Sequence, residues 1–284
     1  MHKALNFWLL GGDQRQLHLA HLLTEDGHTT HLYALDTPES EPDLSQINRA
    51  DCIIFPLPTA DEDLRLNTPL SNLSIPLSSI PPLLTKSQFL CGGLVSNAAQ
   101  DLFTSHDLQL HDYFSQEELI ISNAIPTAEG ALQIAMEQLP LTIHDSHILI
   151  LGFGRVGQAT ARRFSALGGI VTVAARRYAQ LALAHSMGLK TQPLRQLSGW
   201  LCGYDLIINT IPALVLTRAL LEDIKSDCLI LDLASAPGGV DRSAARSLNL
   251  TVIHAPGLPG KVAPTSAARA IQRTIYHMLA EHNF

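Results

Sequence analysis

The chain has 284 residues, of which 46% are hydrophobic and 16% carry a charged side chain. At about 100–200 residues per domain, this length favours two domains, and so apolar a composition excludes disorder over most of the chain. Nineteen Lys and Arg against 26 Asp and Glu give a formal net charge of -7, which argues against a protein that binds nucleic acid through a basic face. No apolar stretch has the form of a secretory signal or of a membrane span, so we expect a cytoplasmic protein.

The N-terminal half alternates strand and helix patterns. A first strand ends at Gly11-Gly12, and the helix that follows stops near Gly27. The Pro- and Ser-rich stretch 57–85 is predicted to be mostly loop. The predicted strands of this half cover residues 5–10, 31–35, 51–56 and 88–95, with short strand candidates at 108–111 and 120–122.

A predicted helix over 127–139, with Pro126 just before it, is expected to bridge the two halves. Further helices are predicted over 158–168 and 178–187, and a terminal helix over 265–282 that packs back on either half. The predicted strands of this half cover residues 144–152, 170–175, 205–210, 228–234 and 251–254.

Strands that alternate with helices form parallel sheets. We therefore predict an α/β fold of two Rossmann-like, doubly wound parallel-sheet domains with a cleft between them. The first domain, residues 1–125, is expected to serve the substrate or a partner. The second, residues 126–284, is expected to bind a nucleotide; it includes the bridging segment 126–142 and the terminal segment 265–284.

The strongest motif is the run Gly152-Phe153-Gly154-Arg155-Val156-Gly157, which has the form G-x-G-x-x-G. It follows a strong predicted strand and opens a helix, which is the context that dinucleotide binding requires. Gly152 permits a tight turn, Gly154 allows the backbone to approach a pyrophosphate, and Gly157 lets the helix pack against the sheet. We predict a dinucleotide site here.

The next strand bears on the choice of cofactor. It ends in Ala175-Arg176-Arg177, where an NAD site would carry an acidic residue for the ribose hydroxyls. Guanidinium groups match a 2′-phosphate instead, so we predict NADP; the alternative is that one or both arginines are solvated loop charges.

Later strand ends supply further candidates, because strand carboxyl ends line the ligand crevice of open α/β sheets. We assign to the cofactor the segments Asn209-Thr210-Ile211-Pro212 and Leu233-Ala234. To the substrate we assign Ser235, Gly238, Gly239 and the run Gly257-Leu258-Pro259-Gly260-Lys261 from two loops rich in Gly and Pro. The alternatives are a plain strand-ending turn at 209–212 and a solvent-facing lysine.

The remaining reactive residue types carry weaker signals. Arg15, after Gly11-Gly12-Asp13, is a candidate for an anionic substrate group, although Asp13 also suits a simple helix cap. Of the 13 histidines, three pairs are spaced three apart, yet no third ligand accompanies them, so no metal site is predicted. The four cysteines are scattered and are expected to be free thiols, mostly buried.

Six segments that span nearly the whole chain carry a family resemblance. They are Gly-Gly-Asp-Gln-Arg-Gln (11–16), Ser-Asn-Ala-Ile-Pro-Thr-Ala-Glu-Gly (122–130), Gly-Phe-Gly-Arg-Val-Gly (152–157), Ile-Asn-Thr-Ile-Pro (208–212), Leu-Asp-Leu-Ala-Ser-Ala-Pro-Gly-Gly-Val-Asp (231–241) and Ala-Pro-Gly-Leu-Pro-Gly-Lys-Val-Ala-Pro (255–264). In this order they resemble the A subunits of bacterial dipicolinate synthases. The segments at 122–130, 231–241 and 255–264 are the most specific of the six.

The resemblance implies an NADP-dependent oxidoreductase that oxidises a ring bond of dihydrodipicolinate, or of its hydrated precursor from the lysine pathway, to give dipicolinate. The implied partner is a flavoprotein-like B subunit, and the implied location is the mother-cell cytoplasm during sporulation; a homodimer is left open. Two substrate carboxylates need cations or N–H donors, for which Arg15, Lys261 and the loop amides are candidates. Asn123, Thr127, Glu129 and Lys261 are the catalytic candidates, and no base is singled out.

Two other functions stay open. One is an NAD(P)-dependent dehydrogenase of 2-hydroxy or 2-amino acids, although such enzymes usually place a His–Glu or Lys–His pair at the cleft. The other is a non-catalytic regulatory subunit that binds NADP.

Overall fold

Two parallel β-sheets organise the chain in the computed structural model, which describes residues 4–282 and 284. Among these residues the chain forms two compact units. The first unit consists of the residues up to 122 together with those from 263 onward, and the second unit consists of residues 123–262. Both units have the α/β architecture of parallel strands connected mainly through helices, which confirms the predicted fold class.

The first unit has a five-stranded sheet in the order β2-β1-β3-β4-β5. This is a doubly wound order, in which strands are added on one side of β1 and then on the other, so that the topological switch point lies between β1 and β3. The strands are β1 (Asn6–Leu10), β2 (Thr29–Tyr33), β3 (Cys52–Ile54), β4 (Phe89–Gly92) and β5 (Leu110–Asp112). Stretch 57–85 is mostly loop, as predicted, apart from single helical turns over 77–79 and 81–83.

The helices of the first unit begin and end at recognisable signals. Helix α1 (Gln14–Glu25) is capped by Asp13, whose side chain accepts from the Arg15 amide at 3.0 Å. Helix α2 (Asn97–Thr104) is capped by Ser96, which accepts from the Ala99 amide at 3.2 Å. These contacts satisfy backbone donors that the first helical turn leaves free.

The terminal helix α9 (Pro264–Glu281) belongs to the first unit and packs along α1. Its Ala268, Ile271 and Ile275 are almost fully buried in one apolar cluster with β1 and α1. At the far end of α1, Asp26 accepts hydrogen bonds from Gln272 at 2.9 Å and Tyr276 at 2.8 Å. The C-terminal helix therefore packs on the first unit, after the chain has formed all strands of the second unit.

The second unit has a six-stranded sheet in the order β11-β10-β9-β6-β7-β8. Counted within the unit, this is the order 6-5-4-1-2-3 of dinucleotide-binding folds, and the topological switch point, where the strand order reverses, lies between β6 and β9. The strands are β6 (His147–Leu151), β7 (Ile170–Ala175), β8 (Lys190–Pro193), β9 (Leu206–Asn209), β10 (Leu229–Asp232) and β11 (Thr251–His254). The helices are α4 (Arg155–Ala166), α5 (Tyr178–Ser186), α6 (Arg218–Leu221), α7 (Arg242–Ser247) and α8 (Leu258–Val262).

Helix α3 (Glu117–Gln138) corrects two predictions. The short strand at 120–122 is wrong, and so is the helix start at 127, because Pro126 lies inside a 22-residue helix. Proline removes one backbone hydrogen-bond donor from the helix. Burial of small residues on both sides of the proline stabilises the helix in spite of this loss. These residues are Ala124, Ala128, Ala131 and Ala135.

Smaller corrections have local causes. β2 ends at Tyr33 rather than residue 35 because Ala34 has a positive φ of 59°, and Asp145 at 61° keeps the residues before His147 out of β6. Helix α4 starts at residue 155 rather than 158. Strand β8 and helices α6, α7 and α8 were not predicted, and α8 lies where only a loop was expected, anchored by buried Leu258.

Candidate functional site

The turn between β6 and α4 requires glycine at two positions. Gly152 has a positive φ of 96°, and its amide donates to the Ala174 carbonyl of β7 at 2.8 Å. A Cβ at Gly157 would collide with the Gly152 carbonyl oxygen. The turn can therefore exist only with a bare backbone at both ends, so that α4 approaches the sheet closely.

Gly154 has the opposite surroundings. A Cβ built there would meet no protein atom within 4 Å, and the residue precedes the first turn of α4 with no side chain capping it. The free amides of that turn and the helix dipole favour an anion in this open space. The turn therefore fits a pyrophosphate, as the motif predicts.

Two glutamines that the motif does not include hold this turn. Gln158 and Gln180 both donate to the Phe153 carbonyl, at 3.2 and 3.3 Å. The Phe153 side chain itself is buried in the core of the unit, so its contribution to a ligand is limited to its backbone. A glutamine on each neighbouring helix gives no recognisable sequence signal, and both were missed.

A cavity of about 540 Å³ lies beside the turn, within the size range of small-molecule sites. The predicted cofactor residues that line it are Gly152, Phe153, Gly154, Ala175, Arg176, Arg177, Thr210, Ile211 and Pro212. It adds residues that were not predicted: Gln180, Leu194 and Ala213-Leu214-Val215. The predicted residues that do not line it are Arg155, Val156, Gly157, Asn209, Leu233 and Ala234.

The charge at this cavity is positive. Arg176 and Arg177 follow β7 directly and are exposed, and neither is paired with a carboxylate anywhere in residues 4–282 and 284. The acidic residue that would accept from ribose hydroxyls is absent from this strand end. The cavity thus presents two unneutralised guanidinium groups to a ligand.

Asn209 shapes the cavity indirectly. It is fully buried, donates to Asp232 at 2.8 Å and to the Ile211 carbonyl at 3.0 Å, and accepts from the Ile211 amide at 3.1 Å. Asn209 thereby fixes the loop that follows β9. The side-chain amide nitrogen of Asn209 therefore donates to two protein groups.

Asp232 is the centre of a buried network at the ends of β9, β10 and β11. It accepts from Asn209 and also from the Gly239 amide at 3.0 Å, and it is fully buried. On the next strand, His254 places Nδ1 3.7 Å from an Asp232 oxygen, and this nitrogen is buried without a hydrogen-bond partner. Neither Asp232 nor His254 was among the predicted site residues, because their proximity arises only from strand register.

Comparison with known proteins assigns the family. Residues 6–114 match the family model for the N-terminal domain of the dipicolinate synthase A subunit. The A subunit of dipicolinate synthase from Bacillus subtilis (strain 168) is 33% identical over 290 residues, covering 99% of this chain and 98% of that protein. The chain belongs to the family of dipicolinate synthase A subunits.

Two solved structures of this family superpose closely. The dipicolinate synthase A subunit of Bacillus halodurans is 31% identical with a TM-score of 0.89, covering 97% of this chain and 98% of that one. The corresponding polypeptide of the Bacillus subtilis dipicolinate synthase is 32% identical with a TM-score of 0.89, covering 99% and 97%. The similarity includes both units.

In this dipicolinate synthase family member, the second unit also matches a wider group. Residues 125–226 match the model "D-isomer specific 2-hydroxyacid dehydrogenase, NAD binding domain". The second unit therefore contains a nicotinamide-dinucleotide-binding domain of the dehydrogenase type, in agreement with the glycine turn and the strand order.

The substrate candidates of this family member differ in how free they are to bind. Arg15 pairs through two of its nitrogens with Asp13, at 2.8 to 3.1 Å, and also donates to the Leu57 carbonyl at 2.8 Å. Only 13% of its side chain is exposed. Lys261, in contrast, is exposed on α8, and no carboxylate in the described part of the chain pairs with it.

The remaining substrate candidates present mainly backbone. Ser235 and Gly257 are exposed, whereas Gly238, Gly239 and Leu258 are buried. Gly239 cannot carry a side chain, because a Cβ would collide with the Asn209 amide. Pro259 and Gly260 are partly exposed on α8.

The three catalytic candidates on α3 interact mostly with protein. Thr127 donates to the Asn123 carbonyl at 2.7 Å, and Glu129 pairs with Arg163 of α4 at 3.0 Å. The Asn123 side chain is almost completely buried, and its side-chain oxygen, Oδ1, has no hydrogen-bond partner. Of the three, Asn123 therefore has unused hydrogen-bonding capacity.

No helix within residues 4–282 and 284 combines the length and the apolar character needed to cross a bilayer. The same part of the chain contains no group of three or more His, Cys, Asp or Glu side chains that could hold a metal ion.

Proposed function

We propose that the chain is the A subunit of a dipicolinate synthase that uses NADP to oxidise dihydrodipicolinate, or its hydrated precursor after loss of water, to dipicolinate. The observation that carries the proposal is the match to a dipicolinate synthase subunit over 99% of the chain, including both units. The unpaired arginines at the end of β7 support NADP over NAD, because guanidinium binds phosphate through paired N–H bonds.

The chemistry makes modest demands on the protein. The dihydropyridine ring loses a hydride and a proton and becomes aromatic, which provides a large driving force. A bound nicotinamide dinucleotide supplies the hydride acceptor, and the proton leaves to a base or to water. The main task of the chain is to bind and orient the two molecules.

Named residues suit these tasks. The amides at the start of α4 would hold the pyrophosphate in the open space at Gly154. The loop at 210–212, fixed by Asn209, lines the same cavity and would orient the bound nucleotide. Lys261 is the candidate for a substrate carboxylate, because its charge is not neutralised by a partner in the described residues.

Arg15 needs a different explanation. Its charge is balanced by Asp13, so a role in substrate binding requires the substrate to displace that contact. We therefore keep Arg15 as a secondary candidate.

The relatives are named as subunits of an enzyme, which supports a second polypeptide in the active complex. The partner in this proposal is a flavoprotein-like B subunit. The complex acts in the mother-cell cytoplasm during sporulation.

A coupled assay tests the proposal. The purified chain, with and without the B subunit, is supplied with the lysine-pathway precursor and either NADP or NAD. We expect reduced NADP and dipicolinate to form in equal amounts. Absence of dipicolinate with the partner present would overturn the substrate assignment, and equal rates with NAD would overturn the cofactor assignment.

A second function has one observation in its favour, the match of residues 125–226 to the nucleotide-binding domain of 2-hydroxyacid dehydrogenases. It predicts NADP- or NAD-linked oxidation of 2-hydroxy or 2-amino acids in the same assay. Nucleotide binding without turnover of any of these substrates would instead indicate a regulatory subunit.

A further inference from the structure

A second cavity, of about 380 Å³, adjoins the one beside the glycine turn. The two cavities share Arg176, Leu194, Leu214 and Val215, so they form a continuous surface. The smaller cavity adds Tyr178 and Arg195, which line no part of the larger one. It extends the candidate nucleotide site beyond the residues of the motif.

The sheet explains why Arg176 and Arg195 face the same cavity. Strands β7 and β8 are parallel neighbours, and their last residues, Ala175 and Pro193, are paired in register. Arg176 follows directly on β7, and Arg195 lies two residues after the end of β8. Parallel strands end at the same edge of a sheet, so the two arginines approach the cavity from adjacent strand ends.

Arg195 is held in position before any ligand binds. Its Nη2 donates to the phenol oxygen of Tyr178, and its guanidinium carbon lies 5.7 Å from the centre of the Tyr178 ring. A guanidinium that lies near an aromatic ring and is hydrogen-bonded to the same residue loses less conformational freedom when it binds an anion. Tyr178 is therefore a support for Arg195.

The smaller cavity has a lining of mixed character. Its charged lining consists of Arg176 and Arg195, which are exposed and unpaired with carboxylates in the described residues. Its apolar lining includes Leu194, Leu214 and Leu220. An apolar lining together with two cations fits a flat base attached to a sugar that carries an additional phosphate.

We infer that the smaller cavity takes the 2′-phosphoadenosine end of NADP, and that Arg195, supported by Tyr178, binds the 2′-phosphate together with Arg176. The inference rests on the proposed use of a nicotinamide dinucleotide and adds a selectivity residue outside the motif. Tyr178 acts as a positioning residue for Arg195.

Binding measurements on the full chain test this assignment. Calorimetry compares NADP, NAD and the fragments 2′,5′-ADP and 5′-AMP, which carry no nicotinamide. We expect Arg195→Gln to weaken NADP and 2′,5′-ADP about 10-fold or more, since hydrogen bonds between charged groups are strong. NAD and 5′-AMP should change less than about twofold.

A second variant isolates the supporting role of the phenol oxygen. Tyr178→Phe keeps the aromatic ring and removes the oxygen that Arg195 contacts. We expect a smaller loss for the two 2′-phosphate ligands and none for the other two. Arg218→Gln is the matched control, because Arg218 is exposed, lies outside both cavities and pairs with Glu222.

The outcomes separate the two proposals. An equal loss of NADP and NAD affinity in Arg195→Gln, or no loss of either, overturns the role of Arg195 while wild-type binding still supports the proposed function. A wild-type chain that binds neither dinucleotide overturns the proposed function itself.

Discussion

At the scale of single residues, Gly152, Gly154 and Gly157 do different work within one motif. Gly152 and Gly157 are required by the protein, because a side chain at either position would meet neighbouring protein atoms. Gly154 is surrounded by open space, so no neighbouring protein atom requires a glycine there. This difference separates the effect of each substitution on stability from its effect on binding.

We predict that Gly157→Ala lowers both stability and dinucleotide affinity, because the new methyl group forces α4 away from the Gly152 carbonyl. Overpacking of this kind costs about 1–3 kcal/mol of unfolding free energy. Gly154→Ala should cost less stability than Gly157→Ala, since its φ of -81° suits alanine and the new Cβ meets no protein atom, while weakening the dinucleotide. Urea unfolding and calorimetry measure the two effects.

Gly203→Ala is the control for both variants, because a Cβ there meets no atom within 4 Å and the residue is outside the cavities. Binding of NADP by Gly154→Ala at wild-type affinity would contradict the proposed position of the pyrophosphate.

The second residue-scale prediction concerns charge. Arg176→Asp places a carboxylate at the strand end where NAD sites carry one, and it removes a phosphate ligand. We expect NADP affinity to fall by about 10-fold or more, and NAD affinity to fall less or to rise. Equal losses for the two dinucleotides, measured by calorimetry, would remove the 2′-phosphate role of Arg176.

At the scale of elements, α9 completes the first unit. Ile275 is fully buried in the cluster that α9 shares with α1 and β1. We predict that Ile275→Ala destabilises the first unit by about 2–5 kcal/mol, the usual cost of a large-to-small change in a core.

Hydrogen exchange followed by mass spectrometry locates the effect of Ile275→Ala. Peptides from β1, α1 and α9 should lose protection, while those from β6 to β11 should keep it. Met136→Ala is the control, because 63% of Met136 is exposed. Loss of protection confined to β6–β11 would show that α9 does not stabilise the first unit.

At the scale of the whole molecule, stability should depend on pH through a histidine pair. Burial, and to a lesser degree the neighbouring His282, hold the pKa of His111 below its ordinary value of 6.5. The ring of His111 stacks on Phe89 at 4.7 Å and lies 4.4 Å from that of His282, measured between centroids.

Because the unfolded chain takes up this proton more readily, we predict that the free energy of unfolding falls as the pH drops below about 6.5. Urea unfolding between about pH 7.5 and 5 measures the effect. In His111→Gln the decline should be shallower, whereas His185→Gln, at an exposed position, should follow the wild type. Identical profiles for His111→Gln and wild type would contradict the assignment.

Much of this architecture follows from local sequence, and the exceptions have physical causes. The turn at Gly152 was predictable because a tight turn and a close helix contact demand glycine wherever they occur. Arg195 was not, since it follows the weakly patterned strand Lys-Thr-Gln-Pro and meets Arg176 only through the pairing of β7 with β8. The hydrogen bond between Asn209 and Asp232 was not predictable either, because the two residues lie 23 positions apart and meet only where β9 and β10 pair.

The return of α9 to the first sheet has a consequence for how the protein is made. Every strand of the second unit leaves the ribosome before α9. The second unit therefore has all its strands and helices at a point where the first unit still lacks α9, the helix that packs on α1. Domains generally fold as they emerge. The second unit should therefore complete its folding during synthesis before the first unit, although the first unit contains the N-terminal residues.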